Sequence, residues 1–217
     1  MNHQLAKLSF LITLYFASIG FAGSYSYNTW GILFEKKDKW VNLFDGKTLK
    51  GWHMIPGGDW KVEKGAIVGR SGKTESRHGL LVSDKVFKDF EIKIKYKAVK
   101  GNSGLYFRVD EVGGEVGVYG FQAEIDPNND AGGLYETGGR GWVVKPTAEQ
   151  VKTWYKPGEW NEMNVRAKQG NILVTVNGTK TAELFNDPGR TQGHIALQLH
   201  GGMDMDVIFK EIKIREM

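Results

Sequence analysis

From Phe90 to Ala98 the chain reads F-E-I-K-I-K-Y-K-A, apolar and charged residues alternating without a break. A period of two belongs to a β-strand, so Phe90, Ile92, Ile94, Tyr96 and Ala98 share one face while Glu91, Lys93, Lys95 and Lys97 share the other. This is the pattern of an antiparallel strand that is buried on one side and solvated on the other. Leu105, Phe107 and Val109 repeat it. So do Tyr119, Phe121, Ala123 and Ile125; Met163, Val165 and Ala167; Ile172, Val174 and Val176; and Ile195, Leu197 and Leu199. Val207 and Phe209 are followed by Ile212 and Ile214, a one-residue change of phase that a β-bulge would produce. Asn177-Gly178 lies between two such runs and signals a two-residue hairpin. Thr147–Thr153 is the one stretch with helical character. No unit of 20–50 residues recurs, which argues against a propeller. With 29 Gly among 217 residues, about twice the usual share, short strands joined by tight turns predict a β-sandwich or barrel.

The first 22 residues do not share the pattern. One Lys precedes an apolar run, Leu8 to Phe16, and Gly20-Phe21-Ala22 supplies small residues around a cleavage point. That is the layout of a secretory signal peptide. The apolar run is shorter than the ~20 residues a membrane-spanning helix needs. We therefore expect residues 1–22 to be a signal peptide, 23–39 a linker and 40–217 the folded domain. The mature protein is then exported, periplasmic or extracellular, with no membrane span after cleavage. The chain has no Cys, which removes disulfides, thiolate nucleophiles and Cys-based zinc sites. Its net charge of +4 is spread along the sequence, so nucleic acid is not an expected partner.

Most outward positions carry Lys and Glu, but three strands differ. Tyr106, Arg108 and Asp110 oppose Leu105, Phe107 and Val109. Gln122, Glu124 and Asp126 oppose Phe121, Ala123 and Ile125. His194, Gln198 and His200 oppose Ile195, Leu197 and Leu199, and Gly201-Gly202 follows His200. A face built from Arg, Gln, Glu, Asp and His can hydrogen-bond sugar hydroxyls and supply an acid or a base. Glu124 and Asp126 suggest a carboxylate pair. The E-x-D-x-x-E strand of curved-sandwich glycosidases would need a second Glu at position 129, however, where this chain has Asn, and Pro127 ends the strand early. His200 is open as base, metal ligand or hydrogen-bonding group. His78, in the polar stretch Thr74–His78, reads as loop, and His53 and His194 have no partner in the sequence. Asp126–Asp130 is rich in oxygen donors, so a divalent metal stays open there, although Asp and Asn are also ordinary turn residues. Tyr135, Arg140 and Trp142 lie in a long Gly-rich connection, Ala131–Trp160, of the kind that carries specificity.

Several segments follow one another in a recognisable order: NLFDGKTLKGW (42–52), WKVEKGAIVG (60–69), GLLVSDKVFKDFEIKIKYK (79–97), GNSGLYFR (101–108), YGFQAEID (119–126), PGEWNEMNVRA (157–167), VNG (176–178), GHIALQLHGG (193–202) and VIFKEIKIRE (207–216). Across about residues 39–217 the chain resembles the 3-keto-disaccharide hydrolase domain family, found in many exported bacterial proteins. The resemblance implies an all-β fold, a concanavalin A-like jelly roll of two antiparallel sheets. It also implies a small carbohydrate substrate, a glycoside already oxidised at C3, cleaved by a hydrolase or lyase. Arg108, Gln122, Glu124, Gln198 and His200 match the family's polar positions, whereas the 135–142 loop varies. A ketone at C3 acidifies the C2 proton and places the C1 oxygen β to the carbonyl, so elimination followed by hydration needs a base, a donor for the enolate oxygen and an acid. The expectation is that Glu124 or His200 is the base and that Arg108 or Gln122 holds the ketone oxygen. Gln198, Tyr135, Arg140 and Trp142 are expected to contact substrate. A lectin-like module without turnover and a conventional glycoside hydrolase are the alternatives.

Overall fold

A computed structural model describes residues 39–217; the expected signal peptide and nearly all of the expected linker lie outside the described residues. In chain order the elements are β1 (Val41–Asn42), β2 (Trp52–Ile55), β3 (Asp59–Glu63), β4 (Ala66–Ser71), β5 (Gly79–Phe87), β6 (Phe90–Lys100), β7 (Ser103–Glu111) and β8 (Val118–Ile125). There follow β9 (Leu134–Thr137), β10 (Gly141–Val144), α1 (Ala148–Trp154), β11 (Asn161–Lys168), β12 (Asn171–Val176), β13 (Thr179–Leu184), β14 (Gly193–Leu199) and β15 (Met205–Glu216). All strand pairings are antiparallel. One sheet runs β13-β12-β11-β6-β15-β4-β3, with β1 also beside β15. The other runs β10-β9-β8-β7-β14-β5-β2. The chain is thus the expected two-sheet jelly roll.

Period-two patterning builds the layer between the sheets. Ile92, Ile94 and Tyr96 of β6, Val165 of β11 and Phe209, Ile212 and Ile214 of β15 project inward from the first sheet. Leu105 and Phe107, Phe121 and Ala123, and Ile195 and Leu197 project from the second. Phe107 stacks on Phe121, ring centroids 5.5 Å apart, and meets the edge of Phe90 at 6.2 Å. Burying each such ring stabilises the fold by about 1.5–3 kcal/mol relative to exposure. The phase change in β15 is a bulge: register shifts between Lys210 and Lys213, and Glu211 takes φ +52°. Asn177 and Gly178 both have positive φ and join β12 to β13, as an Asn-Gly hairpin should. Thr147 caps α1: its side chain accepts from the Gln150 N–H while the Gln150 side chain accepts from the Thr147 N–H. The 131–160 connection is less irregular than its glycines suggested, since β9, β10 and α1 all lie within it.

The second sheet turns its other face toward solvent, and that face is divided. Leu80, Val82, Tyr106, Val109, Val118 and Ala196 form a satellite apolar cluster with Ile55, separate from the main core. Val109 reaches it because β7 is bulged at Arg108. Phe107 pairs with Phe121 but Asp110 with Tyr119, which leaves one extra residue, and Arg108 has φ +53°. Gly120 and Gly193 flank the bulge; a Cβ at either would lie within 2.8 Å of Arg108 backbone atoms. Strict alternation therefore fails at Arg108 and Val109.

Candidate active site on the second sheet

Beside the satellite cluster is a cavity of about 330 Å³, lined by His78, Asn102, Tyr106, Val116, Gln122, Glu124, Tyr135, Thr137, Trp142, Gln198 and His200. Register explains the convergence. Gln198 lies opposite Leu80 across β14–β5, and Glu124 opposite Gly104 across β8–β7. Gln122 and Glu124 are two apart on β8 and so share a face. Gly104 has a specific purpose: a Cβ there would lie 2.5 Å from the Gln122 side chain. Without it Gln122 folds across β7 and donates to Gln198 Oε1 at 3.1 Å. Tyr106 and Thr137 bond hydroxyl to hydroxyl at 2.8 Å, and the Ser103 hydroxyl donates to the Gln198 carbonyl at 2.7 Å. The floor is thus a fixed polar network.

Glu124 is the buried carboxyl of the site, 5% exposed. Burial pushes its pKa up to about 8; Asp126 and Asp130 add to the rise, while the Asn102 amide and Lys145 oppose it. At neutral pH it is therefore mostly protonated, an acid with a proton to give. Asn102 Oδ1 is buried without a hydrogen-bond partner, an acceptor on the cavity wall. His200 follows β14 directly. Its Nδ1 lies 2.7 Å from the Gly201 carbonyl, which can only accept, so Nδ1 carries the proton and Nε2 holds a lone pair in the neutral ring. Trp142 packs edge-on against Tyr135, centroids 5.3 Å apart, and the Lys145 ammonium sits over the indole at 4.7 Å.

Six of the eight expected site residues therefore meet: Glu124, His200, Gln122, Gln198, Tyr135 and Trp142. Two do not. Arg108 is 1% exposed and turned away by its own bulge. Its guanidinium donates to the carbonyls of Lys88, Gln169 and Arg190, with Asp89 3.6 Å away. It ties three chain segments together and is not among the residues that line the cavity. Arg140 likewise spends its guanidinium on Glu136 and on Asp187, 2.6 Å away, outside the cavity. The oxygen-rich turn is also accounted for locally. Asp126 accepts from the Asn128 N–H at 2.8 Å, an Asx turn, and Asp130 faces Lys145 at 3.7 Å. Among the described residues no group of three or more His, Asp or Glu is placed to hold a metal ion.

The sequence reading missed His78, Asn102 and Thr137 as cavity residues. His78 precedes β5, whose Gly79 pairs with Leu199, so one step further along the ladder His78 meets His200. Their ring centroids are 4.5 Å apart. The histidine-glycine-glycine end of β14 was the available signal, since it marks a close approach by another segment. That segment is the 76–78 stretch: a Cβ on Gly201 would lie 2.0 Å from the Ser76 carbonyl oxygen.

The antiparallel jelly roll with a small, hydrogen-bonded pocket on one sheet is a fold shared with carbohydrate-binding modules and proteins described as glycosyl hydrolases. More specifically, residues 39–215 match the 3-keto-alpha-glucoside-1,2-lyase-like domain, and the chain belongs to that family. It is 26% identical over 241 aligned positions to a 3-keto-disaccharide hydrolase of Bacteroides thetaiotaomicron, covering 82% of this chain and 78% of the relative. Among solved structures it resembles a protein of Parabacteroides distasonis provisionally described as a glycosyl hydrolase, at 26% identity and TM-score 0.62, covering 86% of this chain and 98% of the other. It also shares the fold, at TM-score 0.61 and 15% identity, with the carbohydrate-binding module CBM66 of Bacillus subtilis, covering 76% and 96%.

Proposed function

We propose that this chain cleaves 3-keto-glycosides by removing the C2 proton and eliminating the C1 substituent, with water then adding to the product. The observation that carries the reading is the pairing, in one cavity, of a carboxyl held protonated at Glu124 with an imidazole whose free Nε2 is a lone pair at His200. That pairing supports His200 as the group that accepts the proton and Glu124 as the group that donates one.

The electrons balance as follows. His200 Nε2 takes the C2 proton, the C2–H pair forms C2=C3, and the ketone oxygen becomes an enolate. The enolate pair returns to form C1=C2, the C1–O bond breaks, and the departing oxygen takes the Glu124 proton. Stopping there gives a lyase. Adding water, hydroxyl to C1 and hydrogen to C2, gives net hydrolysis and restores the 3-keto sugar. Neither outcome calls for a second carboxylate at glycosidase spacing, in keeping with Asn129 where the conventional pattern has Glu.

Cavity shape favours small substrates. An endo-acting enzyme on this fold would need an open groove across the sheet. Here the satellite cluster, covered in part by the 112–118 turn, fills the middle of the face, and the Gly117 backbone packs close to Leu80 and Ile55. A space of about 330 Å³ is at the lower end for a ligand site, which suits one or two sugar rings. Trp142 and Tyr135 at the rim provide apolar faces for a ring to rest on. Incubation with 3-keto-glucosides and matched unoxidised glucosides tests the reading. Release of aglycone from the oxidised set alone supports it. Binding of both sets without release favours a lectin-like module, and cleavage of both favours a conventional glycosidase.

A further inference from the structure

We propose that His78 is the oxyanion donor of this site, giving its Nε2–H to the oxygen on C3 as the enolate forms, and that the backbone of Gly201 fixes it in that role. The proposal rests on the cleavage reading above and adds the residue which that reading leaves unassigned, after Arg108 proves to be occupied elsewhere.

The geometry centres on one peptide segment. The Gly201 N–H donates to His78 Nδ1 at 2.8 Å, and the Gly201 carbonyl is 2.7 Å from His200 Nδ1. An N–H cannot accept, so His78 Nδ1 is unprotonated and the neutral ring carries its hydrogen on Nε2. A carbonyl cannot donate, so His200 has the opposite tautomer. The two polar groups of a single glycine thus give neighbouring histidines complementary outer nitrogens, one a donor and one an acceptor. The reaction needs that pair: C2 loses a proton while the adjacent C3 oxygen gains charge.

The arrangement is held from several sides. Gly201 cannot become another residue without displacing Ser76, whose carbonyl oxygen a Cβ would approach to 2.0 Å. The Gly202 N–H donates to the Glu75 carbonyl, and the His78 N–H to the Glu115 carbonyl at 2.7 Å. His78 is also kept neutral. Burial, reinforced by His200 and opposed by Glu115, draws its pKa down to about 4. A neutral donor stabilises an enolate without placing a permanent cation against His200, which must itself become cationic when it takes the proton. Preorganised donors of this kind typically contribute about 10²–10³-fold to kcat.

Nitrogen-15 NMR of histidine-labelled protein, with and without 3-keto-glucose, tests the assignment together with kinetics of H78N and H78Q on a 3-keto-glucoside. Asn places its amide near the Nδ1 position and leaves the donor position empty; Gln reaches the Nε2 position with an N–H. Expected are an Nε2–H tautomer for His78 that stays neutral down to about pH 5, and a shift of its Nε2 resonance on adding the keto sugar. H78N should lose about 10²–10³-fold in kcat with KM little changed, and H78Q should recover part of it. A proton on Nδ1, a cationic His78 at neutral pH, or an Nε2 signal unmoved by the keto sugar overturns the proposal whether or not either variant folds. So does full kcat in folded H78N. A wild-type protein that shifts His78 Nε2 yet releases no aglycone contradicts the cleavage reading alone, because the donor contact is then demonstrated without turnover.

Discussion

Histidines stand at both ends of the exposed face of the second sheet, and the two ends treat them in opposite ways. At the cavity end His78 and His200 bond to backbone, and burial holds His78 neutral. At the far end, beyond the satellite cluster, His53 lies between Asp84 and Glu111, each 2.8 Å from a ring nitrogen, and faces the edge of His194. The Asp84 hydrogen bond leads the effects that raise the His53 pKa, while the side chain is 40% exposed. One end holds its two histidines half-buried against backbone, with His78 uncharged. The other favours the charged form of His53 in the open, where an ion pair contributes little. The lesson is that residue type and sheet face do not assign a histidine its task; the partner at each ring nitrogen and the depth of burial do.

Substitution at the cavity end should have by far the greater effect. Glu124→Gln removes the proposed acid while keeping the shape, and kcat on a 3-keto-glucoside should fall by about 10²–10⁴-fold with the circular dichroism spectrum unchanged. A KM effect alone would make Glu124 a binding residue and blur the distinction between the two ends.

The same carboxyl should be visible in stability. Its folded pKa, about 8, lies above its ordinary value of 4.5, so folding disfavours its ionised form. Stability is then fullest below the unfolded value and declines as pH rises through the folded one, by roughly 3–5 kcal/mol in the limit that desolvation acts undiminished. Denaturant unfolding from about pH 5 to pH 9 should show this decline in the wild type and not in Glu124→Gln. Equal slopes for the two proteins would mean that the carboxyl is better solvated than its burial indicates.

Trp142→Ala sharpens the account at the rim. The indole is half-buried on Tyr135 and takes no part in the proposed proton transfers, so its loss should raise KM by about tenfold, equivalent to ~1.4 kcal/mol of uniform binding, with kcat within a factor of about two. At the far end His53→Ala should leave activity unchanged and cost less than about 1 kcal/mol. The sign differs from that at Glu124 for a physical reason. A raised histidine pKa means the charged form is favoured by folding, so the contribution is complete below the unfolded value of about 6.5 and is lost as pH rises through the folded one. Kinetics and urea unfolding on either side of neutrality check both points, and a large activity loss in His53→Ala would dissolve the contrast.

Much of the architecture could be read in the chain. Unbroken alternation at Phe90–Ala98 and the Asn177-Gly178 turn each depend on neighbours in sequence, and both appear as read. The site was legible where parity holds, at Gln122, Glu124 and Gln198. It was not legible at Arg108, because an extra residue in β7 turns the side chain elsewhere, and nothing near Arg108 distinguishes a bulged strand from a regular one. His78 was invisible for a different reason. Its place depends on β5 lying beside β14, more than a hundred residues later, with the Gly201 backbone bonded to both rings. Arg140 shows a third kind of loss: its partners Glu136 and Asp187 come together only once β9 and the 185–190 segment are folded.

The central claim is that cleavage proceeds through loss of the C2 proton to His200. A 3-keto-glucoside carrying deuterium at C2, turned over in ordinary water and followed by mass spectrometry of sugar and unreacted substrate, tests it most directly. Elimination and hydration predict that the released sugar has exchanged its C2 deuterium for solvent hydrogen, with His200→Ala slowing exchange and aglycone release together. Release of aglycone with the C2 deuterium fully retained would contradict the account and place the chemistry at C1 by direct hydrolysis.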